Sequence, residues 1–256
     1  MITSTSNERI KYVTSVVKNA KARRKEGVFV VEGEKMAKEI PPEILVECFV
    51  SEDYTAASGR DPAALFGKEP TVVSSAVFKK MSDTASPQGI LCICRQNTFT
   101  VEEFISSRTK GALRLLVLET IQDPGNLGTM VRTAEGAGFD AIITDENTVD
   151  VYNPKVTRST MGSLFRVPVI TSSDLAGALD ILKRSSVTVY AADLKASKDY
   201  KDESYGERIA FLIGNEGAGL SSAISAKADK LIKIPMKGQL ESLNAAVAAA
   251  ILMYSI

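Results

Sequence analysis

From Leu113 onward the chain alternates short, nearly uninterrupted apolar runs with stretches of helical period, and this alternation restricts the fold more than any other feature. LRLLVLET leads to LGTMVRTAEGAG, then to AIIT, a helical stretch over 154–160, and FRVPVI. The pattern continues through a helix over 174–184, TVYAAD, IAFLIG, LSSAISAKA, KLIKIP and a final apolar helix from Asn244 to the end. A strand without alternating polar positions has no face to offer water, so both of its faces must be covered. Such strands separated by helices predict an α/β domain with a parallel sheet and helices on both faces. Ligands of these sheets bind beyond the carboxyl ends of the strands, so the loops after the strands are searched first.

The first part of the chain reads differently. Residues 6–25 place Ile10, Val13, Val16 and Val17 at helical spacing, which predicts one amphipathic helix stopped by Gly27. Between Arg9 and Lys25 stand seven Lys or Arg residues and no acid. A solvated helix face accounts for part of this, but an imbalance of that size matches a phosphate-binding footprint, with Arg9, Lys21, Arg23, Arg24 and Lys25 as candidate RNA contacts. Apolar runs at 28–31, 44–50 and 89–94, with helical or loop material over 74–81, predict a small α/β domain. The polar stretch 95–110, with a modest helix signal over 101–107, reads as a linker and divides the chain into domains 1–110 and 111–256.

Composition narrows the chemistry. The 256 residues include no histidine, so neither a Ser-His-Asp or Cys-His catalytic set nor a zinc site with imidazole ligands can be built. Acid–base work falls to carboxylates, Lys, Tyr, Arg or the substrate. With 31 basic and 31 acidic side chains, any binding to a polyanion must use local patches. Cys48, Cys92 and Cys94 include no C-x-x-C pair and read as reduced packing residues. The N-terminus lacks an apolar signal core and no run of eighteen apolar residues occurs, which points to a cytoplasmic protein with no membrane association.

Three loops carry polar residues after apolar strands. In PGNLGTMVRTAEGAG (124–138) a turn opens a helix, with Asn126 placed as an N-cap and Arg132 two turns in. In LIGNEGAGLS (212–221) a strand runs into a turn spaced G-x-x-G-x-G, which is not the dinucleotide fingerprint, and Glu216 sits within it. IPMKGQLESLNAAVAAAI (234–251) is a strand end, a loop and the last helix, with Ser242 a natural N-cap and Met236 a natural core filler. Asn244, leading an Ala-rich helix, needs a hydrogen-bond partner.

In order and spacing, these three stretches resemble the three signature motifs of the SpoU (TrmH-like) family of SPOUT RNA 2'-O-ribose methyltransferases. The resemblance covers Leu115 to the C-terminus. The N-terminal stretch SNERIKYVTSVVKNAKARRKEGVFVVEGEKMAKE is similar to the L30e-like substrate-binding domain that often precedes that catalytic domain. The family resemblance implies an α/β-knot, a trefoil-knotted parallel sheet that holds S-adenosylmethionine, working as a homodimer through the C-terminal domain. It implies cofactor contacts at Gly214, Ile234, Met236 and Leu243. It implies a polar catalytic set of Arg132, Asn126, Glu216, Ser242 and Asn244. One departure is that Ala245 and Ala246 stand where relatives often carry Val and Ser.

Transfer to a ribose hydroxyl needs that hydroxyl held in line with the methyl group, at about 3 to 3.5 Å. No metal is needed. Arg132, as a guanidinium, suits phosphate clamping and oxyanion stabilisation better than proton abstraction. The substrate expected is RNA, ribosomal in the first place. Transfer RNA, and a non-catalytic RNA-binding or ribosome-assembly protein of the same fold, are the alternatives.

Overall fold

The N-terminal apolar runs pair into a mixed four-stranded sheet in a computed structural model that describes residues 1–58 and 66–256. Its strands are β1 (Val28–Glu32), β2 (Leu45–Ser51), β3 (Thr71–Val73) and β4 (Ile90–Arg95), in the order β1-β4-β2-β3. β4 runs antiparallel to both neighbours and β3 parallel to β2. The helix Glu8–Lys18 buries Ile10, Val13, Val16 and Val17 against Val30, Phe49, Leu91 and Ile93, together with Val77, Phe78 and Met81 of the helix Ser75–Met81. All three cysteines are free and buried.

Residues 6–25 are two helices rather than the one expected. Asn19 takes an extended conformation that ends the first, and its side chain accepts from Lys21 N to cap the second, Ala20–Glu26. An asparagine gains more from capping a helix than from lying inside one. Gly27, at φ +63°, then stops the second helix in the left-handed conformation that glycine tolerates.

Two compact units divide the chain, one of residues 1–96 with 150–165 and the other of 97–149 with 166–256. The returning segment 150–165 completes the first unit. Tyr152 lies 4.7 Å from the ring of Phe29, and the helix Pro154–Ser159 packs on β1. Arg23 is 3% exposed and donates to Asp150 Oδ2 through Nε at 2.9 Å and Nη2 at 2.7 Å, while its Nη1 reaches the carbonyls of Val16 and Val17. The stretch expected as a linker contributes three side chains to a core. Its helix, Val101–Ser106, starts with a full capping box at Thr100 and Glu103 and buries Val101, Phe104 and Ile105 in the second unit.

The second unit is the parallel sheet that the apolar runs predict. Strands β5 (Leu113–Leu118), β6 (Ala141–Asp145), β7 (Val169–Ser172), β8 (Thr188–Ala192), β9 (Arg208–Ile213) and β10 (Lys230–Ile232) lie in the order β10-β8-β9-β5-β6-β7, every pair parallel. One face packs on Leu175, Ala178, Leu179 and Leu182 of the helix Leu175–Arg184 and on Val101, Phe104 and Ile105. The helices Pro124–Gly136 and Ala245–Met253 pack on each other and on β6 and β9 respectively. From β5 the chain steps outward through β6 and β7, then crosses back to β8 on the other side of β5. The β5/β9 pair is therefore where the direction of winding changes, the place at which such sheets bind ligands. Among the described residues no helix is long and apolar enough to cross a membrane.

Candidate active site

The loop after β5 delivers Asn126, but not as a cap. Asp123 takes that role, its Oδ1 accepting from Asn126 N at 2.7 Å, and Pro124 fills the first helical position, where its missing N–H costs nothing. The Asn126 side chain is thereby left for other work. Its Nδ2 donates to Glu216 Oε1 at 2.7 Å, and its Oδ1 accepts from Asn244 Nδ2 at 3.0 Å. Asn244, and not Ser242, caps the last helix, its Oδ1 accepting from Ala246 N and Val247 N at 2.9 and 3.2 Å. One residue from each of the three motif loops thus joins a single chain of side-chain hydrogen bonds.

Glu216 rides on a turn closed by paired backbone bonds, Asn215 N to Gly219 O at 3.1 Å and Gly219 N to Asn215 O at 2.9 Å. Asn215 Oδ1 fills the turn from inside, accepting from Gly217 N at 2.9 Å and Ala218 N at 3.1 Å, while its Nδ2 donates to Thr120 O at 2.9 Å. A Cβ placed on Gly214 would lie 2.3 Å from Gly219 C and 2.4 Å from Leu220 N, both backbone atoms that cannot swing aside. Gly214→Ala is therefore expected to force the turn open and, if the turn holds the S-adenosylmethionine that the family resemblance implies, to weaken its binding tenfold or more, as read by calorimetry. An affinity within twofold of the parent would refute this.

The support beneath the turn reaches across to β6. Thr120, at φ +59°, is a β-branched residue in the left-handed region, a conformation that persists only where its surroundings hold it. Asp145, at the end of β6 and buried, does so. Its carboxylate accepts from Thr120 N at 2.9 Å and Oγ1 at 2.8 Å, and from Thr148 N at 2.9 Å and Oγ1 at 2.6 Å. Burial acts against the charge, but the donations from Thr148 and Thr120 outweigh it and hold the carboxyl below the usual aspartate value. A carboxyl lowered in this way adds stability above its unfolded pKa of about 3.9, lost as pH falls through the folded value. Glu119 anchors the far side of the turn by accepting from Ser221 N at 2.8 Å and Oγ at 2.6 Å.

Between these loops lies a cavity of about 390 Å³ lined by Gly214, Glu216, Ile234, Met236, Ser242 and Leu243 with others of the same loops. Among the described residues, residues 234–243 make no hydrogen bond, so the backbone donors and acceptors of this wall are uncommitted. All four candidate cofactor residues therefore line one cavity, with two of the candidate catalytic residues beside them.

The family model of the SpoU rRNA methylases matches residues 114–254. The chain belongs to the SpoU rRNA methylase family. An MRM3-like substrate-binding domain model matches residues 7–92. The chain is 37% identical over 238 residues to the 23S rRNA (guanosine(2553)-2'-O)-methyltransferase RlmP of Bacillus subtilis, covering 92% of this chain and 91% of that one. Among solved structures it is similar to the AdoMet-bound rRNA methyltransferase from Sinorhizobium meliloti, with a TM-score of 0.83, 26% identity and coverage of 99% and 95%. It is also similar to an RNA methyltransferase of the TrmH family from Porphyromonas gingivalis, with a TM-score of 0.81, 27% identity and coverage of 98% and 97%.

In this SpoU chain the remaining candidates fall in three places. The Arg132 side chain is exposed and, among the described residues, makes no hydrogen bond or ion pair. Six residues beyond Asn126, it stands about 240° further round the helix and outside the Asn126–Glu216–Asn244 chain. Lys21, Arg24 and Lys25 are exposed in the first unit, and Arg9 there pairs with Glu47 at 2.6 Å. Arg23 leaves the basic face altogether, since its guanidinium is spent inside the first unit. Sequence reasoning did not find Asn215, Thr120, Asp145 or Glu119. Only Asn215 carried a signal, its place beside Glu216 in the glycine-rich turn.

Proposed function

We propose that the chain transfers a methyl group from S-adenosylmethionine to a ribose 2'-hydroxyl of ribosomal RNA. The observation that carries this reading is the Asn126–Glu216–Asn244 chain, drawn from three loops beside one cavity, in a chain alike over 92% of its length to a named 23S rRNA 2'-O-methyltransferase. The cavity suits the cofactor. It is apolar at Ile234, Met236 and Leu243, free of a side chain at Gly214, and walled over residues 234–243 by backbone groups that have no hydrogen-bond partner among the described residues. When bound, the cofactor supplies a methyl group already activated by its sulfonium.

The protein's own task is placement. Asn126 and Asn244 orient the Glu216 carboxylate, and Ser242 stands in the same wall as a further polar contact. Ile234, Met236 and Leu243 exclude water, which strengthens every polar interaction inside. Arg132, held ready on a helix with no side-chain partner among the described residues, supplies positive charge to an RNA phosphate and to the oxygen as its negative charge develops. Lys21, Arg24 and Lys25 on the MRM3-like unit bind backbone phosphates, with Arg9 at their margin.

The same reading takes the motif loops as parts of a trefoil knot, the protein as cytoplasmic, and the working form as a homodimer. The last helix favours the dimer, for it is apolar throughout yet leaves Val247 48% exposed, with Tyr254 at its C-cap 66% exposed. The test is transfer of labelled methyl from S-adenosylmethionine to undermethylated total RNA, followed by nucleoside chromatography. A 2'-O-methylnucleoside in the large rRNA is the result expected. Labelled tRNA instead would move the substrate, and cofactor binding without any labelled RNA would overturn the enzymatic reading.

A further inference from the structure

We infer that Asp145 is a positioning residue for methyl transfer, acting through the backbone of Thr120. The inference rests on the reaction proposed above and adds to it a residue that lies in none of the three motifs. Thr120 is where two of the motif loops meet. Its carbonyl accepts from Asn215 Nδ2 at 2.9 Å and so fixes the turn carrying Glu216. Three residues later Asp123 caps the helix carrying Asn126. The relative placement of Glu216 and Asn126, 2.7 Å apart, therefore depends on the direction in which the Thr120 peptide points.

That direction is not one threonine chooses. A left-handed φ crowds its branched Cβ against the backbone, and relaxing to the extended region would turn the carbonyl away from Asn215. Asp145 opposes this with two bonds to Thr120, one to the amide and one to the hydroxyl. The other two fix Thr148, whose Oγ1 accepts from Ile121 N at 3.1 Å, so the next peptide is pinned as well. Every donor that Asp145 satisfies thus bears on residues 120–121. A carboxylate whose only task was to stabilise the end of β6 would have no need to reach across to the loop after β5.

Asp145→Asn keeps the size and one acceptor but turns an N–H towards the Thr120 hydroxyl. The expected result is a kcat at least tenfold lower, with KM for RNA and the affinity for S-adenosylhomocysteine within about twofold of the parent. Thr120→Gly added to that variant should restore at least half of the lost kcat, because glycine adopts φ near +60° without help. A purely stabilising role would give a lower melting temperature with kcat unchanged, and that outcome overturns the inference, as does failure of the glycine to rescue. The side-chain amide protons of Asn215 and Asn126 provide a readout independent of the reaction. They should exchange faster in Asp145→Asn than in the parent, and equal exchange also sinks the inference. Should the parent itself transfer no methyl group to RNA, the proposed reaction fails while the amide comparison still decides the role of Asp145.

Discussion

Arg132→Ala is expected to lower kcat by roughly 10²–10³, the loss typical of deleting one preorganised group that stabilises developing charge. Binding of S-adenosylmethionine and thermal stability should stay as they are. The structure separates these quantities. The Arg132 side chain is exposed and bonded to nothing among the described residues, so its removal breaks no internal contact and the stability change should stay within about 0.5 kcal/mol. It is also absent from the cavity wall formed by Gly214, Ile234, Met236 and Leu243, so a cofactor held in that cavity, as proposed, loses no partner. Lysine at 132 should restore only part of the rate, because an ammonium is a point charge and cannot grip a phosphate with the two-pronged geometry of a guanidinium. Single-turnover methylation with saturating RNA, beside calorimetric titration of the cofactor, measures both. Wild-type turnover in Arg132→Ala would remove the arginine from the mechanism.

How far the sequence could be read depended on whether a feature is local. The six apolar runs after 113 are strands because each by itself is too apolar to face water, and their parallel pairing followed from the intervening helices. The short β3 and the four-residue helix Ser222–Ser225 were respectively unread and overextended, since three or four residues carry too little periodicity to mark an element or its ends. Capping was legible as chemistry but not as position. Asn126 and Ser242 are good cap residues, yet Asp123 and Asn244 hold the caps, and that exchange frees the Asn126 side chain to meet Glu216. The glycine-rich turn could be seen to need glycine, but the reason at Gly214, a backbone 2.3 Å from where a Cβ would sit, is a contact with residues five and six further on. Asp145 and Thr120 could not have been found, because a left-handed threonine and the carboxylate that holds it leave no pattern in one dimension.

The least legible element was the return of 150–165 to the first unit, and Asp150→Ala is expected to test it with a large loss of stability. The basic cluster was read as a uniform phosphate-binding face, yet its members differ in kind. Arg9 meets Glu47 with its own side chain 55% exposed, and an exposed pair of that sort contributes less than about 1 kcal/mol. Arg23, at 3% exposure, has given up its water and kept Asp150 and two carbonyls in exchange. Deleting the aspartate leaves a guanidinium buried with no anion, which costs about 3–5 kcal/mol, and also orphans Tyr152 N, which donates to Asp150 Oδ1 at 2.9 Å. Because Tyr152 packs on Phe29 of β1, the loss falls on the first unit's core and not on the cavity of the second. Urea denaturation should therefore show a midpoint moved well down for Asp150→Ala and barely moved for Arg9→Ala, with S-adenosylmethionine affinity at low denaturant unchanged in both. Equal, small shifts would mean that Arg23 is solvated and belongs with the lysines proposed to bind RNA after all.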